Sequence, residues 1–119
     1  MRLLLVDDSA TMRRIQKTQL NGMGITDIIE AGNGEEALGQ LQANMPIDII
    51  LLDWNMPVMD GFTLLQKVRA DGTYSGVKIF MCTSESEKSK VVEALKAGAN
   101  NYIVKPFTPE ALKEKLGIP

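Results

Sequence analysis

Histidine is absent from the 119-residue sequence, and its absence excludes several kinds of chemistry. A Ser-His-Asp or Cys-His catalytic arrangement needs an imidazole ring, and so does a zinc site with histidine ligands. A phosphohistidine cannot form on this chain for the same reason. Any chemistry here must therefore use carboxylate, hydroxyl or amine groups, or a metal ion that such groups bind.

Cysteine, long apolar runs and excess charge are also scarce. The single cysteine, Cys82, lies in an apolar run, so we expect a buried thiol in a reducing compartment and no intrachain disulfide. The opening apolar run ends at Asp7-Asp8, so we expect no signal peptide, no membrane span and a cytoplasmic location. A formal net charge of -2 means that the chain lacks the excess positive charge typical of proteins that bind nucleic acid or an anionic membrane. The length fits a single domain, residues 1–119, without an output module.

The apolar segments predict five strands that alternate with five helices. The strands are predicted at residues 2–6, 27–31, 49–53, 77–82 and 102–104. The first helix is predicted from the Ser9 cap to about residue 21 or 23, the third from residue 62 to about residue 71, and the others at residues 35–43, 88–97 and 109–116. Capping signals support three of the helices: Ser9, Thr108, and a capping-box pattern over residues 84–87. Regular alternation predicts a parallel sheet with right-handed crossovers and helices on both faces.

Two helices carry apolar side chains that we expect to face the core. They are Met12, Ile15 and Leu20 in the first helix, and Val91, Val92 and Leu95 in the fourth.

Polar side chains follow four of the predicted strands: Asp7, Asp8, Asp53, Thr83 and Lys105. Because parallel strands all end at the same edge of the sheet, we expect these side chains to meet there. Taken singly, each is more often an ordinary turn, cap or surface residue. Their joint placement favours a functional site centred on Asp53, at the end of the most apolar strand.

The chemistry of this set favours a metal ion and a phosphoryl group. Two unit charges about 4 Å apart repel by roughly 4 kcal/mol near a protein surface, and a divalent cation removes that repulsion. An all-oxygen ligand set suits Mg²⁺ or Mn²⁺. Lys105 adds a positive charge and Thr83 a hydroxyl donor, and phosphoryl transfer depends on such positioning and neutralisation of charge. A carboxylate can be the nucleophile, giving an aspartyl phosphate.

The sequence resembles the receiver domain of two-component response regulators over essentially its whole length. The motifs that carry the resemblance are Asp7-Asp8-Ser9, Asp53 with Met56-Pro57 and Asp60-Gly61, Thr83, and Lys105-Pro106-Phe107. The stretches 9–14, 53–57 and 101–108 are most similar to chemotaxis members of the family. The resemblance implies a flavodoxin-like (βα)5 fold with strand order 2-1-3-4-5.

The resemblance also implies roles for the residues at the sheet edge. Asp53 would accept a phosphoryl group from a histidine kinase. Asp8, Asp53 and the carbonyl of Asn55 would bind Mg²⁺ directly, and Asp7 would act partly through water. Lys105 would bind a phosphoryl oxygen and precede a cis peptide bond to Pro106, and Thr83 would turn toward the phosphoryl group.

A partner surface is implied on the fourth helix, fifth strand and fifth helix. Tyr102 would move from an exposed to an inward rotamer, and the positions that match contacts with a flagellar motor switch protein are Lys88, Val91, Tyr102, Val104 and Lys115. Asn55 and Glu85 would tune dephosphorylation. A dedicated phosphatase is a further candidate partner, and we expect a monomer.

The sequence departs from the family pattern in two places, and other functions stay open. Ser84 stands where a smaller residue is common, and the last helix is short. A Mg²⁺-dependent phosphatase would need a second acid where Asn55 stands, a flavodoxin-like cofactor binder would not place Asp7-Asp8 near a phosphate, and a transcription factor would need a DNA-binding module. Within the receiver interpretation, a phosphate sink or relay is the alternative to a motor regulator.

Overall fold

The structure, a computed structural model, describes residues 1–84, 89–105 and 107–117. Five strands and five helices alternate along the chain, as the sequence predicts. Their bounds are β1 (Arg2–Val6), α1 (Ala10–Gly22), β2 (Asp27–Ala31), α2 (Gly34–Asn44), β3 (Ile49–Asp53), α3 (Gly61–Ala70), β4 (Lys78–Thr83), α4 (Val91–Lys96), β5 (Asn101–Val104) and α5 (Pro109–Leu116), with a 3₁₀ turn at Gly72–Tyr74.

The five strands form one parallel sheet in the order β2-β1-β3-β4-β5, which confirms the predicted topology. β3 lies at the centre, and its first four residues are buried. Alternate side chains enter two different cores, one on each side of the sheet: Ile50 and Leu52 pack in one, and Ile49 and Leu51 in the other. Because both faces of this strand are buried, its sequence is a continuous apolar run rather than an alternation of apolar and polar residues.

Side chains at the helix starts satisfy backbone N–H groups that have no partner within the helix. Ser9 and Thr108 cap α1 and α5 as the sequence predicts, by accepting hydrogen bonds from the N–H groups of Met12 and Ala111, both at 3.1 Å. Asn33 and Asp60 cap α2 and α3 in the same way. The predicted capping box before α4 lies outside the described residues.

The predicted inward faces of α1 and α4 are partly wrong. In α1, Ile15 is 50% exposed and the neighbouring Gln16 is 2% exposed, so the buried face runs through Gln16 and Leu20. In α4, Val91 and Ala94 are buried, whereas Val92 and Leu95 are 58% and 43% exposed. Successive helix residues are about 100° apart. An error of one residue in phase therefore moves a side chain from the core toward solvent.

The described parts of the chain contain no helix with the length and apolar character that crossing a membrane requires.

Candidate functional site

The sheet register brings side chains from three separate strand ends into contact. Asp7 follows β1, Asp53 ends β3, and Lys105 follows β5. The Lys105 Nζ atom lies 2.9 Å from Asp7 Oδ2 and 2.9 Å from Asp53 Oδ1. The predicted convergence of these residues at the carboxyl edge of the sheet is confirmed.

Asp7 is fixed by several hydrogen bonds. Its side chain is buried, and Oδ1 accepts from the N–H of Ser9 at 2.9 Å while Oδ2 accepts from Lys105. Its own N–H donates to the carbonyl of Ala31 at 3.1 Å, and its carbonyl accepts from the guanidinium of Arg13. A carboxylate held this firmly can present an oxygen to a ligand with little loss of conformational freedom.

Asp53 is partly buried and lies close to other negative charges. Its side chain is 12% exposed. Burial raises the pKa of Asp53 to about 6, since Asp7 and Asp8 add to the effect of burial and Lys105 only partly opposes it. For Lys105, burial acts to lower the pKa, but the hydrogen bonds to Asp53 and Asp7 outweigh it and the pKa is raised. One lysine therefore balances only part of the negative charge at this edge.

The three carboxylates form a group that suits a divalent cation. Asp7, Asp8 and Asp53 each offer an oxygen, and these atoms lie within 4.8 Å of one another. Hard oxygen donors with excess negative charge match the preference of Mg²⁺. Asp8 is exposed and can exchange ligands with solvent, whereas Asp7 is buried. Asn55 is exposed on the loop after β3, and its carbonyl as a further ligand stays a prediction.

Thr83 lies at the end of β4 with a buried hydroxyl group. The residue is 1% exposed, and its Oγ1 atom has no hydrogen-bond partner within the described ranges. The carbonyl of Thr83 accepts from the N–H of Lys105 at 2.6 Å, which ties the ends of β4 and β5 together. A buried hydroxyl without a partner is uncommon in folded proteins, and a bound oxygen ligand would satisfy it.

Gly61 allows α3 to begin directly against the end of β3. A Cβ atom at this position would clash with the backbone carbonyl of Asp53, and the Gly61 N–H donates to the carbonyl of Trp54 at 2.9 Å. Asp60 caps the same helix through its side chain. The Asp60-Gly61 pair is part of the resemblance, but this positioning role was missed because close backbone approach leaves no signature besides the glycine.

The loop between β3 and α3 is tightly turned. The N–H of Met59 donates to the carbonyl of Pro57 at 2.7 Å, and Val58 between them has a φ of 69°. Left-handed backbone is unfavourable for a β-branched residue. Met59 packs against Gly34 so closely that a Cβ atom there would lie 2.8 Å from the Met59 side chain. These contacts hold the loop that follows Asp53 against the start of α2.

Trp54 follows Asp53 in the chain and is 6% exposed. Its ring stacks on Phe62 with a centroid separation of 5.4 Å, and the Lys90 Nζ atom lies 5.7 Å from the ring centroid. Lys90 immediately precedes α4. The indole therefore contacts both α3 and the residue before α4, and the Lys90 contact was not anticipated from the sequence.

The expected partner surface is only partly exposed. Tyr102 is half-buried against the core on its side of the sheet, with the Lys115 Nζ atom 4.6 Å from its ring centroid. Val104 is half-buried, and Val91 is 7% exposed, which leaves Val91 little surface for a partner in this conformation. Lys88, Glu85 and the predicted cis bond to Pro106 lie outside the described residues.

A concavity of about 400 Å³ lies elsewhere, between α1 and α5, and Asp7, Asp8 and Asp53 do not line it. The acidic group at the sheet edge therefore lies outside this concavity.

A parallel sheet in the order β2-β1-β3-β4-β5, with acidic residues and a lysine at its carboxyl edge, is the arrangement expected of a receiver domain. The family model of the response regulator receiver domain matches residues 3–117. The chain belongs to this family.

The relatives point to chemotaxis. The chain is 53% identical over 118 residues to chemotaxis protein CheY1 of Helicobacter pylori strain J99, covering 99% of this chain and 95% of that protein. It is 53% identical over 116 residues to a chemotaxis protein CheY homolog of Campylobacter jejuni, covering 98% and 89%. The crystal structure of Vibrio cholerae chemotaxis protein CheY4 superposes with a TM-score of 0.88 at 37% identity, covering 98% and 95%. The chain is thus a CheY-like response regulator of a two-component system.

Proposed function

We propose that this protein accepts a phosphoryl group on Asp53 from a phosphohistidine of a chemotaxis-type histidine kinase, and that phosphorylation changes its affinity for a flagellar motor switch protein. The observation that carries the proposal is the placement of Lys105, whose Nζ atom lies 2.9 Å from both Asp7 and Asp53. A cation that contacts both the proposed nucleophile, Asp53, and the proposed metal ligand, Asp7, can neutralise charge on an arriving phosphoryl group.

The transfer step uses the ionised Asp53 carboxylate. One of its oxygens attacks phosphorus, the bond from phosphorus to the kinase imidazole nitrogen breaks, and the imidazole leaves with that electron pair. A pKa of about 6 leaves most of the carboxylate ionised at neutral pH. Mg²⁺, when bound, would neutralise part of the negative charge of the carboxylates and of the phosphoryl group.

Two residues would then take new partners. Lys105 would turn from the Asp53 carboxylate to a phosphoryl oxygen, and the hydroxyl of Thr83, which has no partner among the described residues, would donate to another. The exchange removes the Lys105–Asp53 contact of the resting protein. Because these contacts differ between the two conformations, phosphorylation would stabilise one conformation more than the other, as a switch requires.

The readout surface would comprise α4, β5 and α5. Val92 and Leu95 of α4 are apolar and exposed, and Tyr102 and Lys115 lie beside each other on β5 and α5. The relatives named for chemotaxis support a motor target. A phosphate sink or a relay to another histidine is the alternative. The cytoplasmic location, the monomeric state, the single-domain organisation and the tuning by Asn55 and Glu85 stay predictions.

Trp54 fluorescence tests the proposal because Trp54 follows Asp53 in the chain and its ring contacts Phe62 of α3 and Lys90 before α4. Purified protein is titrated with Mg²⁺ and then with beryllofluoride, a phosphoryl mimic, in parallel with Asp53→Ala. We expect a Mg²⁺-dependent fluorescence change that the substitution abolishes. A beryllofluoride response in Asp53→Ala would contradict Asp53 as the phosphoacceptor. A motor switch peptide whose affinity does not change with beryllofluoride would favour the sink or relay.

A further inference from the structure

Arg13 connects the turn that carries Asp7 and Asp8 to β2, and the proposed function does not use it. Its Nε atom donates to Glu30 Oε1 of β2 at 3.2 Å, and its Nη1 atom donates to the carbonyl of Asp7. The Arg13 side chain is 20% exposed, so both contacts are shielded from much of the solvent. A guanidinium can bind two acceptors at once, because its N–H groups diverge in one plane.

The carbonyl that Arg13 binds lies beyond the end of β2. The N–H of Asp7 donates to the carbonyl of Ala31, the last residue of β2, at 3.1 Å. After Ala31 the chain turns into α2, which Asn33 caps. The carbonyl of Asp7 accepts from the Arg13 guanidinium instead of from a strand neighbour. Both main-chain polar groups of Asp7 are therefore tied to β2, one directly and the other through Arg13 and Glu30.

The orientation of the Asp7 carbonyl matters for Asp8. The carbonyl of Asp7 and the N–H of Asp8 belong to one planar peptide unit, so a fixed carbonyl sets the direction in which the chain enters Asp8. Asp8 is exposed, and its carboxylate supplies one of the three oxygen atoms that lie within 4.8 Å of one another. Hydrogen bonds from a charged donor are stronger than those between neutral groups, so Arg13 can hold this peptide firmly.

We propose that Arg13 is a positioning residue for the metal site. It fixes the peptide between Asp7 and Asp8, so that the Asp8 carboxylate is already directed toward the oxygens of Asp7 and Asp53 before a cation binds. Glu30 anchors the guanidinium on β2. Contacts of this kind, which orient metal-binding residues without touching the metal, contribute to metal affinity. The inference rests on the Mg²⁺ site of the proposed function and not on phosphoryl transfer.

Charge and positioning predict opposite effects when Arg13 is replaced. Arg13 is a cation close to a site for a cation, so by charge alone its removal should tighten Mg²⁺ binding. If Arg13 holds the peptide, its removal should weaken Mg²⁺ binding although a positive charge is lost. The sign of the change in affinity therefore distinguishes positioning from electrostatics.

The first test compares Arg13→Met with Arg14→Met. Both changes remove one positive charge from α1, but Arg14 is exposed. Mg²⁺ is titrated by calorimetry in the absence of a phosphoryl donor. Arg13→Met should weaken Mg²⁺ binding about tenfold relative to Arg14→Met. Equal affinities, or tighter binding by Arg13→Met, would overturn the proposal.

The second test keeps the charge and decides the inference if Arg13→Met does not fold. Arg13→Lys offers one nitrogen to two acceptors, so it should bind Mg²⁺ about threefold more weakly than Arg14→Lys. Urea unfolding in chelator measures the stability of each variant without metal. A loss of stability at unchanged Mg²⁺ affinity would show that Arg13 supports only the fold, and would refute the positioning role.

These titrations separate the inference from the proposed function. If the unmodified protein bound Mg²⁺ but accepted no phosphoryl group on Asp53, the proposed transfer would fail and the Arg13 variants would still decide the inference. If the unmodified protein bound no Mg²⁺, the inference would fall together with the metal site.

Discussion

The carboxylate of Asp53 combines low exposure with neighbouring negative charge, and both raise its pKa, which reaches about 6. Aspartate in an unfolded chain titrates near a pKa of about 4. The folded protein therefore binds this proton more tightly. The stability that Asp53 contributes is greatest below about pH 4 and is lost as the pH rises through about 6.

Asp53→Asn should remove this pH dependence in metal-free protein. The free energy of unfolding of the variant minus that of the unmodified protein should grow by about 3 kcal/mol between pH 4 and pH 7, because two pKa units correspond to about that energy. Urea titrations in chelator at a series of pH values measure it. A difference that stays constant with pH would contradict the environment described for Asp53.

Gly61 is the residue at which backbone approach decides the site geometry. Gly61→Ala would place a Cβ atom against the carbonyl of Asp53, so we expect a loss of at least about 2 kcal/mol in unfolding free energy. The clash should also weaken Mg²⁺ binding, because the end of β3 must move. Urea unfolding and Mg²⁺ titration of Trp54 fluorescence measure the two effects.

Gly39 provides the matched control. It lies inside α2, and a Cβ atom there would meet no atom within 4 Å. Gly39→Ala should stabilise the protein by about 0.5–1 kcal/mol, because alanine favours a helix interior over glycine. If both variants changed stability alike, the effect would come from backbone entropy and not from the contact between Gly61 and Asp53.

At the scale of elements, Arg69 joins α3 to the segments before β4 and β5. Its guanidinium donates to the carbonyls of Gly98 and Tyr74 and to the side chain of Asn100, at 2.8, 3.3 and 2.8 Å. The Asn100 side chain also accepts from the N–H of Ile79 at 2.8 Å. One planar cation on α3 therefore fixes the turn after α4 and the segment before β4 to each other.

Arg69→Lys should lower the free energy of unfolding by about 2 kcal/mol, because a single ammonium group cannot reproduce the three diverging hydrogen bonds. Arg14→Lys, an exposed change on α1, should have almost no effect. Urea unfolding compares the two variants. Equal effects would mean that Arg69 stabilises the fold through its charge alone.

The strands and helices could largely be predicted, because the spacing of apolar residues and the residues that end or cap an element are local features of the sequence. Apolar runs that stop at Asp7 and Asp53 marked strand ends, and Ser9 and Thr108 marked helix starts. The parallel sheet then placed Asp7, Asp53 and Lys105 together with no further information. That part of the site follows from topology.

The buried face of each helix and the close backbone contacts at glycines could not be predicted from the sequence in the same way. The sequence offered Ile15 for the core, yet the fold buries Gln16, because the rotation of α1 is set by its packing on the sheet rather than by its apolar residues. Val92 and Leu95 are exposed for the same reason. Gly61 and Gly34 are recognisable in the sequence only as glycines. The atoms that a Cβ would meet there belong to Asp53 and Met59, which lie in other segments of the chain.

At the scale of the molecule, β4 and β5 connect the acidic group at the carboxyl edge of the sheet to the surface formed by α4 and β5. β4 and β5 carry Thr83 and Tyr102, and the carbonyl of Thr83 accepts from the N–H of Lys105. A change at the acidic group can thus reach β5 through adjacent strands. α4 follows β4, and its exposed apolar side chains Val92 and Leu95 would suit the binding of a partner protein.

The most direct test of the central claim is the mass of the intact protein after incubation with acetyl phosphate. Unmodified protein with Mg²⁺ should gain the mass of one phosphoryl group, and removal of Mg²⁺ by a chelator should prevent the gain. Asp53→Asn should show no gain although it is folded. A phosphoryl group found on the Asp53→Asn variant, or none on the unmodified protein with Mg²⁺, would contradict Asp53 as the phosphoacceptor.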